Sequence, residues 1–214
     1  MGIDWRYANR PRAERAGAGF RQGPFGGGVD NNNNVLASAE VFSSSTNTWT
    51  LTGSMTDARE TFPAVVLKCG KVLVSGGLGT GGVVSGSAEL YDPSTGVWSS
   101  AGTFSVARFG HTAALLPNGM VLVAGGCTSS CSTITAASEL YNPATNNWST
   151  TDSLNLARYS HMAVRLNTGM VLAIGGSNRK RYGFLRALQS FHGHVEQRGQ
   201  HECRPLPGRR HSPA

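Results

Sequence analysis

Apolar residues along this chain come in short blocks separated by turn-forming residues, and no block is long. HTAALL at 111–116 and MVLVA at 120–124 are dense in small and aliphatic side chains, with Asn118-Gly119 between them. Asn-Gly tolerates positive φ at both positions and predicts a two-residue turn joining two strands. MVLVA is apolar on both alternating faces, as expected of a strand covered on both sides. Gly125-Gly126 closes it, and glycines at a strand end permit close backbone approach or positive φ. SAELY at 87–91 predicts a third strand and VW at 97–98 a short outer one. In the DPSTG between them, Asp92 opens a turn, Pro93 presets φ and Gly96 can take the left-handed position. The predicted unit is four short antiparallel strands with apolar residues on both faces.

The unit recurs. Three tryptophans fall at Trp49, Trp98 and Trp148, spaced by 49 and 50 residues, and the diglycines Gly76-Gly77, Gly125-Gly126 and Gly175-Gly176 keep the same intervals. So do Glu40, Glu89 and Glu139, and Arg59, Arg108 and Arg158. Asn47 and Asn146 stand where Gly96 stands in the middle copy, and asparagine is the next most tolerant residue there. A four-stranded sheet apolar on both faces must be sandwiched between similar sheets, and a period of ~50 residues with four strands indicates a propeller blade. On this reading Tyr91, Tyr141 and Phe42, with the tryptophans, are packing posts between blades. The fold class is all-β, a β-propeller fragment of two complete four-stranded blades plus two half blades. The complete blades fall at about 62–99 and 111–149, an outer half at 35–51 and an inner half at 161–176. Half blades expose apolar faces and unpaired strand edges, so self-association through those open faces is expected.

The same residues resemble the kelch repeat, with its Arg-x-x-His approach, an apolar strand ending in Gly-Gly, a following Tyr and a spaced Trp. The central copy reads ARFGHTAALLPNGMVLVAGG, preceded by SAELYDPSTGVW, and the next reads ARYSHMAVRLNTGMVLAIGG. The first copy departs, with Phe62 in the histidine slot and Val41-Phe42 replacing Leu-Tyr. The resemblance covers about 29–177, with repeats at about 29–77, 78–126 and 127–176. It implies a kelch-type β-propeller, a family used mostly as a binding platform, with a further similarity to the propeller of galactose-oxidase-like proteins.

The positive charge lies at the two ends of the chain. The formal net charge is +7, yet residues 29–177 carry six basic and eight acidic side chains. A nucleic-acid reader places its basic stripe on the folded surface, so no nucleic-acid partner is expected. No run of 18 apolar residues occurs, which argues against a membrane partner. Residues 1–28 form an irregular leader without a signal-peptide pattern, and 178–214 a basic tail without strand, Glu-Leu-Tyr or Trp signals. Both are either out of frame or disordered. The histidines and cysteine of that tail (His192, His194, His201, Cys203) match no familiar zinc spacing, and no metal or cofactor is assigned. The compartment is unknown, although an extracellular parent protein is compatible with the chain.

Strand parity puts the 2–3 loops and the blade-to-blade connections on one side of the ring. These are the long segments, including LGTGGVVSG, CTSSCSTITAA and LTGSMTDARE, and variable loops on a repetitive scaffold carry recognition. On that side Glu60, Phe109 and Tyr159 differ between copies and are candidates for reading a partner. Arg59, Arg108 and Arg158 precede them and either meet carboxylates of a partner or form a repeated internal hydrogen bond. His111 and His161 share one repeat slot and read as structural, as do the three diglycines. No nucleophile-base pair and no adjacent Tyr-His pair stands out, so no catalytic residue is assigned. Cys127 and Cys131 either bridge locally or remain two free thiols. The function expected is a non-catalytic interaction scaffold for a protein or peptide. One alternative is a fragment of an exported carbohydrate-binding or galactose-oxidase-like propeller. The other is a truncated or frameshifted product without function.

Overall fold

A computed structural model describes residues 26–178; the leader before it and the tail after it lie outside the described residues. In chain order, β1 (Gly26–Gly27) is followed by β2 (Glu40–Ser43), β3 (Thr48–Leu51) and β4 (Glu60–Phe62). Next come β5 (Ala64–Val66), β6 (Val72–Ser75), β7 (Ser87–Asp92) and β8 (Val97–Thr103). After β9 (Thr112–Leu115) and β10 (Val121–Ala124), the short strands β11 (Cys127–Thr128) and β12 (Thr133–Ile134) interrupt the next blade. It resumes with β13 (Ser138–Asn142) and β14 (Asn147–Thr151), and β15 (Met162–Arg165) and β16 (Val171–Ile174) end the described strands.

Two four-stranded antiparallel sheets result, ordered β5-β6-β7-β8 and β9-β10-β13-β14. Hairpins β2-β3 and β15-β16 are an outer and an inner half blade, and β1-β4 and β11-β12 are small pairs within the loops. The described residues thus form a kelch-type propeller fragment of two complete and two half blades.

The core lies between the sheets. Leu67, Leu73 and Ala101 of one blade bury against Val121 and Tyr141 of the next, with Leu90, Ala113 and Trp148 partly buried around them. Met55, Phe62 and Val74 make the corresponding layer toward the first half blade, with Ala37 and Trp98. Both faces of a central blade are therefore apolar because each meets a neighbour, the arrangement the repeat demands.

The aromatic posts fix the stacking. Tyr91 and Trp98 have ring centroids 5.1 Å apart, as do Tyr141 and Trp148, and Phe42 and Trp49 are 5.2 Å apart. The indole of Trp148 donates to the Ala101 carbonyl at 2.8 Å, and that of Trp98 to the Gly53 carbonyl at 2.7 Å, each reaching the preceding blade's outer side. Tyr91 and Thr52 share a hydroxyl hydrogen bond of 2.8 Å across the same interface. Trp49 is half exposed, as expected of a blade with no predecessor among the described residues.

Turn chemistry explains the hairpins. Asn47, Gly96 and Asn146 all take positive φ, at 54°, 70° and 56°, which is the left-handed position that links strands three and four. The turn between strands one and two differs from the two-residue Asn-Gly hairpin. The Gly119 N–H donates to the Leu116 carbonyl and the Leu116 N–H to the Met120 carbonyl, so three residues connect the strands. Only Gly119 is left-handed, at 91°, while Asn118 instead accepts the Met120 N–H on its side chain. That is a type I turn followed by a left-handed glycine, repeated at Gly70 and Gly169 with φ of 84° and 88°.

Candidate functional site

The long loops and blade-to-blade connections share a rim on which Glu60, Phe109 and Tyr159 recur, one per blade. Each pairs its backbone with the residue just past its own blade's diglycine: Glu60 with Leu78, Phe109 with Cys127, Tyr159 with Ser177. All three side chains are partly exposed. The residue after each is left-handed, Thr61 at φ 59°, Gly110 at 60° and Ser160 at 52°. This slot links the blades directly, because the Gly110 N–H donates to the Thr61 carbonyl and the Ser160 N–H to the Gly110 carbonyl. A β-branched threonine in that region carries a local strain, and the blade-to-blade hydrogen bond holds it there. Sequence reading missed this slot, since threonine, glycine and serine share no side-chain signal for φ.

The rim arginines separate into two kinds. Arg59 and Arg108 are fully buried, at 0% exposure. Arg59 donates to Glu89 at 2.8 Å and to the carbonyls of Gly76 at 2.8 Å and Ser87 at 3.1 Å. Arg108 donates to Glu139 at 2.8 Å, the Gly125 carbonyl at 3.1 Å and the Ala137 carbonyl. The glutamates also accept backbone N–H groups of the blade-to-blade connection: Thr56 and Asp57 on Glu89, Ser105 and Val106 on Glu139. Each clamp therefore fastens the incoming loop, the diglycine and the third strand of one blade. Both guanidiniums are buried within their own blades, and the Nε of Arg59 is the one buried donor of the two that has no hydrogen-bond partner among the described residues.

Arg158 occupies the same slot without an acid. Its Nη1 donates to the Gly175 carbonyl at 2.9 Å, and it has no ion-pair partner among the described residues. Glu40, in the slot of Glu89 and Glu139, likewise has none there.

His111 and His161 are pegs between blades. The Nε2 of His111 is 3.0 Å from the Ser75 hydroxyl, and that of His161 is 2.9 Å from the Thr112 hydroxyl. Burial lowers the His111 pKa to about 3, aided by the charges of Arg108 and His161, and burial with Arg158 lowers His161 to about 4. Both rings are neutral and buried, so they fill space rather than exchange protons with solvent. The diglycines make room for them: a Cβ on Gly76 would stand 2.8 Å from His111 Cε1, and one on Gly125 2.9 Å from His161 Cε1.

The loops carry the rest of the rim. Cys127 and Cys131 form a disulfide that closes the β11-β12 loop beside Phe109. Thr80–Gly82 and Ser129–Cys131 each make one 3₁₀ turn. Burial raises the pKa of the Glu60 carboxyl, which has no ion-pair partner among the described residues to offset the desolvation. Among the described residues no group of three or more His, Cys, Asp or Glu converges to hold a metal ion.

Stacked four-stranded blades, aromatic posts and a one-per-blade rim define a β-propeller repeat protein. The family model described as Kelch motif matches residues 27–56, which run from Gly27 past Trp49. That match supports a kelch-repeat family for this stretch of the chain. No curated protein matches it.

Proposed function

We propose that the chain is a non-catalytic interaction scaffold that binds a protein or peptide on its long-loop rim. Kelch repeats commonly mediate protein–protein interaction, and the chain carries that repeat. One observation supports the finer reading most: Glu60, Phe109 and Tyr159 sit in one backbone slot, differ in chemistry and remain partly exposed. A fixed backbone with variable side chains is how repeat scaffolds present recognition residues. Phe109 and Tyr159 supply amphipathic or apolar contact area at low entropy cost, and Glu60 favours a basic group nearby. Residues 29–177 are the unit that carries this activity, and its open blade faces provide a second, self-associating surface.

Pull-downs with the parent chain and the Phe109→Ala, Tyr159→Ala and Glu60→Ala variants test the rim assignment. Loss of a captured partner by the aromatic variants, with unchanged circular dichroism, supports it. Capture that is unaffected by all three defeats it.

A second reading, a piece of an exported carbohydrate-binding propeller, draws on the Cys127–Cys131 disulfide, since such bonds persist in oxidising compartments. A glycan array with the same variants separates the two readings.

A further inference from the structure

We propose that two copies of this chain close into one six-bladed ring, each copy's β15-β16 hairpin completing the other's β2-β3 hairpin. The inference rests on the self-association reading above and gives it a register, a stoichiometry and a buried ion pair.

The two half blades are complementary halves. β15-β16 supplies strands one and two, and β2-β3 supplies strands three and four. β16 and β2 each have one edge without a partner strand among the described residues. In the complete blade, β10 pairs with β13 as Val121↔Tyr141, Leu122↔Leu140, Val123↔Glu139 and Ala124↔Ser138. The repeat carries that register onto Val171↔Phe42, Leu172↔Val41, Ala173↔Glu40 and Ile174↔Ala39 of a second copy. The apolar residues of both hairpins are unusually open, with Met162 58% exposed, Ile174 48% and Phe42 45%.

Charge chooses the same partner. The complete blades bury an Arg–Glu clamp, Arg59 with Glu89 and Arg108 with Glu139. Arg158 belongs to the half blade that lacks strand three, and Glu40 to the half that lacks the arginine. Joining the halves brings Arg158 of one copy to Glu40 of the other in the geometry that the chain already uses twice. A chance apolar partner would leave both charges unmatched at the interface, which is costly.

There is room for the hairpin. A cleft of about 860 Å³ opens beside β2, lined by Val41 and Phe42, by Ala64 and Val66 of the next blade, and on its far side by Ala113 and by Met162 of the chain's own β15. Two four-residue strands, ~13 Å long, ~5 Å apart and ~10 Å deep, fill on the order of 10³ Å³. Gly26–Gly27 now pair with Glu60–Phe62, the segment that runs into the cleft-lining Pro63, and docking exchanges them for Gly175–Gly176 of the incoming copy.

Counting fixes the stoichiometry. Among the described residues two complete and two half blades make three blade equivalents, so two copies of them give six. Six lies within the roughly four to eight blades of closed propellers, whereas three or nine do not. The contact is head-to-tail, and it closes after two copies instead of growing into a filament.

Sedimentation velocity and cross-linking on the full chain test the ring. The parent chain is expected at twice its mass of 22.5 kDa. Glu40→Arg and Arg158→Glu, each alone, place like charges at both interfaces and should weaken the dimer roughly a hundredfold or more. Mixing the two variants restores opposite charges at both interfaces and should restore the dimer, a rescue that misfolded chains cannot give. Val41→Cys with Leu172→Cys, in a Cys69→Ser, Cys203→Ser background, should yield a disulfide-linked dimer and no longer ladder. A monomeric parent chain overturns the ring and the self-association together. A dimer in which this double-cysteine variant forms no intermolecular disulfide, or a ladder of open oligomers, overturns the ring while self-association stands.

Discussion

Removing Glu89 should unfasten a blade from the loop that leads into it. Its carboxylate accepts the Thr56 N–H at 2.7 Å, the Asp57 N–H at 3.2 Å and Arg59 at 2.8 Å. Glu89→Ala leaves a fully buried guanidinium without its counter-charge, and a broken buried pair costs about 3–5 kcal/mol. The two freed N–H groups would add to this where water cannot reach them, so a loss of about 4 kcal/mol is expected. With a urea m-value of about 2 kcal/mol/M, the unfolding midpoint drops by about 2 M. Asp57 is the internal control: it also faces Arg59, but at 3.4 Å and with its side chain 52% exposed. Asp57→Ala should cost less than about 1 kcal/mol, as exposed pairs do. Replacing both members of the clamp, as Arg59→Met with Glu89→Leu, should recover much of the loss, because no charge is then left buried alone. Urea denaturation followed by tryptophan fluorescence measures all of these. A Glu89→Ala loss under about 1 kcal/mol, or one no larger than that of Asp57→Ala, would refute the clamp.

Three further outcomes follow from the same geometry. Gly125→Ala puts a Cβ 2.5 Å from the Arg158 carbonyl oxygen at a left-handed φ of 68°, whereas a Cβ on left-handed Gly70 meets nothing within 4 Å. Thermal unfolding should therefore show a loss of several kcal/mol for Gly125→Ala and only the left-handed strain of about 1–2 kcal/mol for Gly70→Ala. Thr61→Gly should raise stability by up to about 1 kcal/mol, since the strain it removes exceeds the added freedom of the unfolded chain; a drop in melting temperature would contradict this. Because His111 and His161 are held neutral with pKa values of about 3 and about 4, against the ordinary 6.5, the unfolded chain binds more protons below pH 6.5. Their stabilisation is complete above that pH and is lost as pH falls toward the folded values. Equilibrium unfolding from about pH 7 to about pH 4 should show falling stability, and His111→Gln should flatten the dependence.

Much of the fold was legible because the repeat writes backbone requirements in residue types that tolerate few substitutes. Gly96, Asn47 and Asn146 revealed the left-handed turn, and Trp98 and Trp148 the stacking interface. The strand one-to-two turn was misread because Asn118-Gly119 fits two hairpin types. The choice between them depends on whether Leu116 or Pro117 ends the strand, which short strands settle only in three dimensions.

The rim was legible in part. The recurrence of Arg59 with Glu89 and of Arg108 with Glu139 was plain, but their coupling was not. A long run of strand and loop separates the partners, and nothing in the spacing says that they meet. The left-handed slot at Thr61, Gly110 and Ser160 left no trace in side-chain type, because a blade-to-blade backbone hydrogen bond, not the residue, imposes it.

The central claim is that blades stack with each histidine seated against the preceding blade's diglycine. Nuclear Overhauser spectroscopy on protein labelled at histidine rings and glycine α-carbons measures this directly. The account predicts cross-peaks from His111 to Gly76 and from His161 to Gly125. A folded, strand-rich chain lacking both cross-peaks would contradict it.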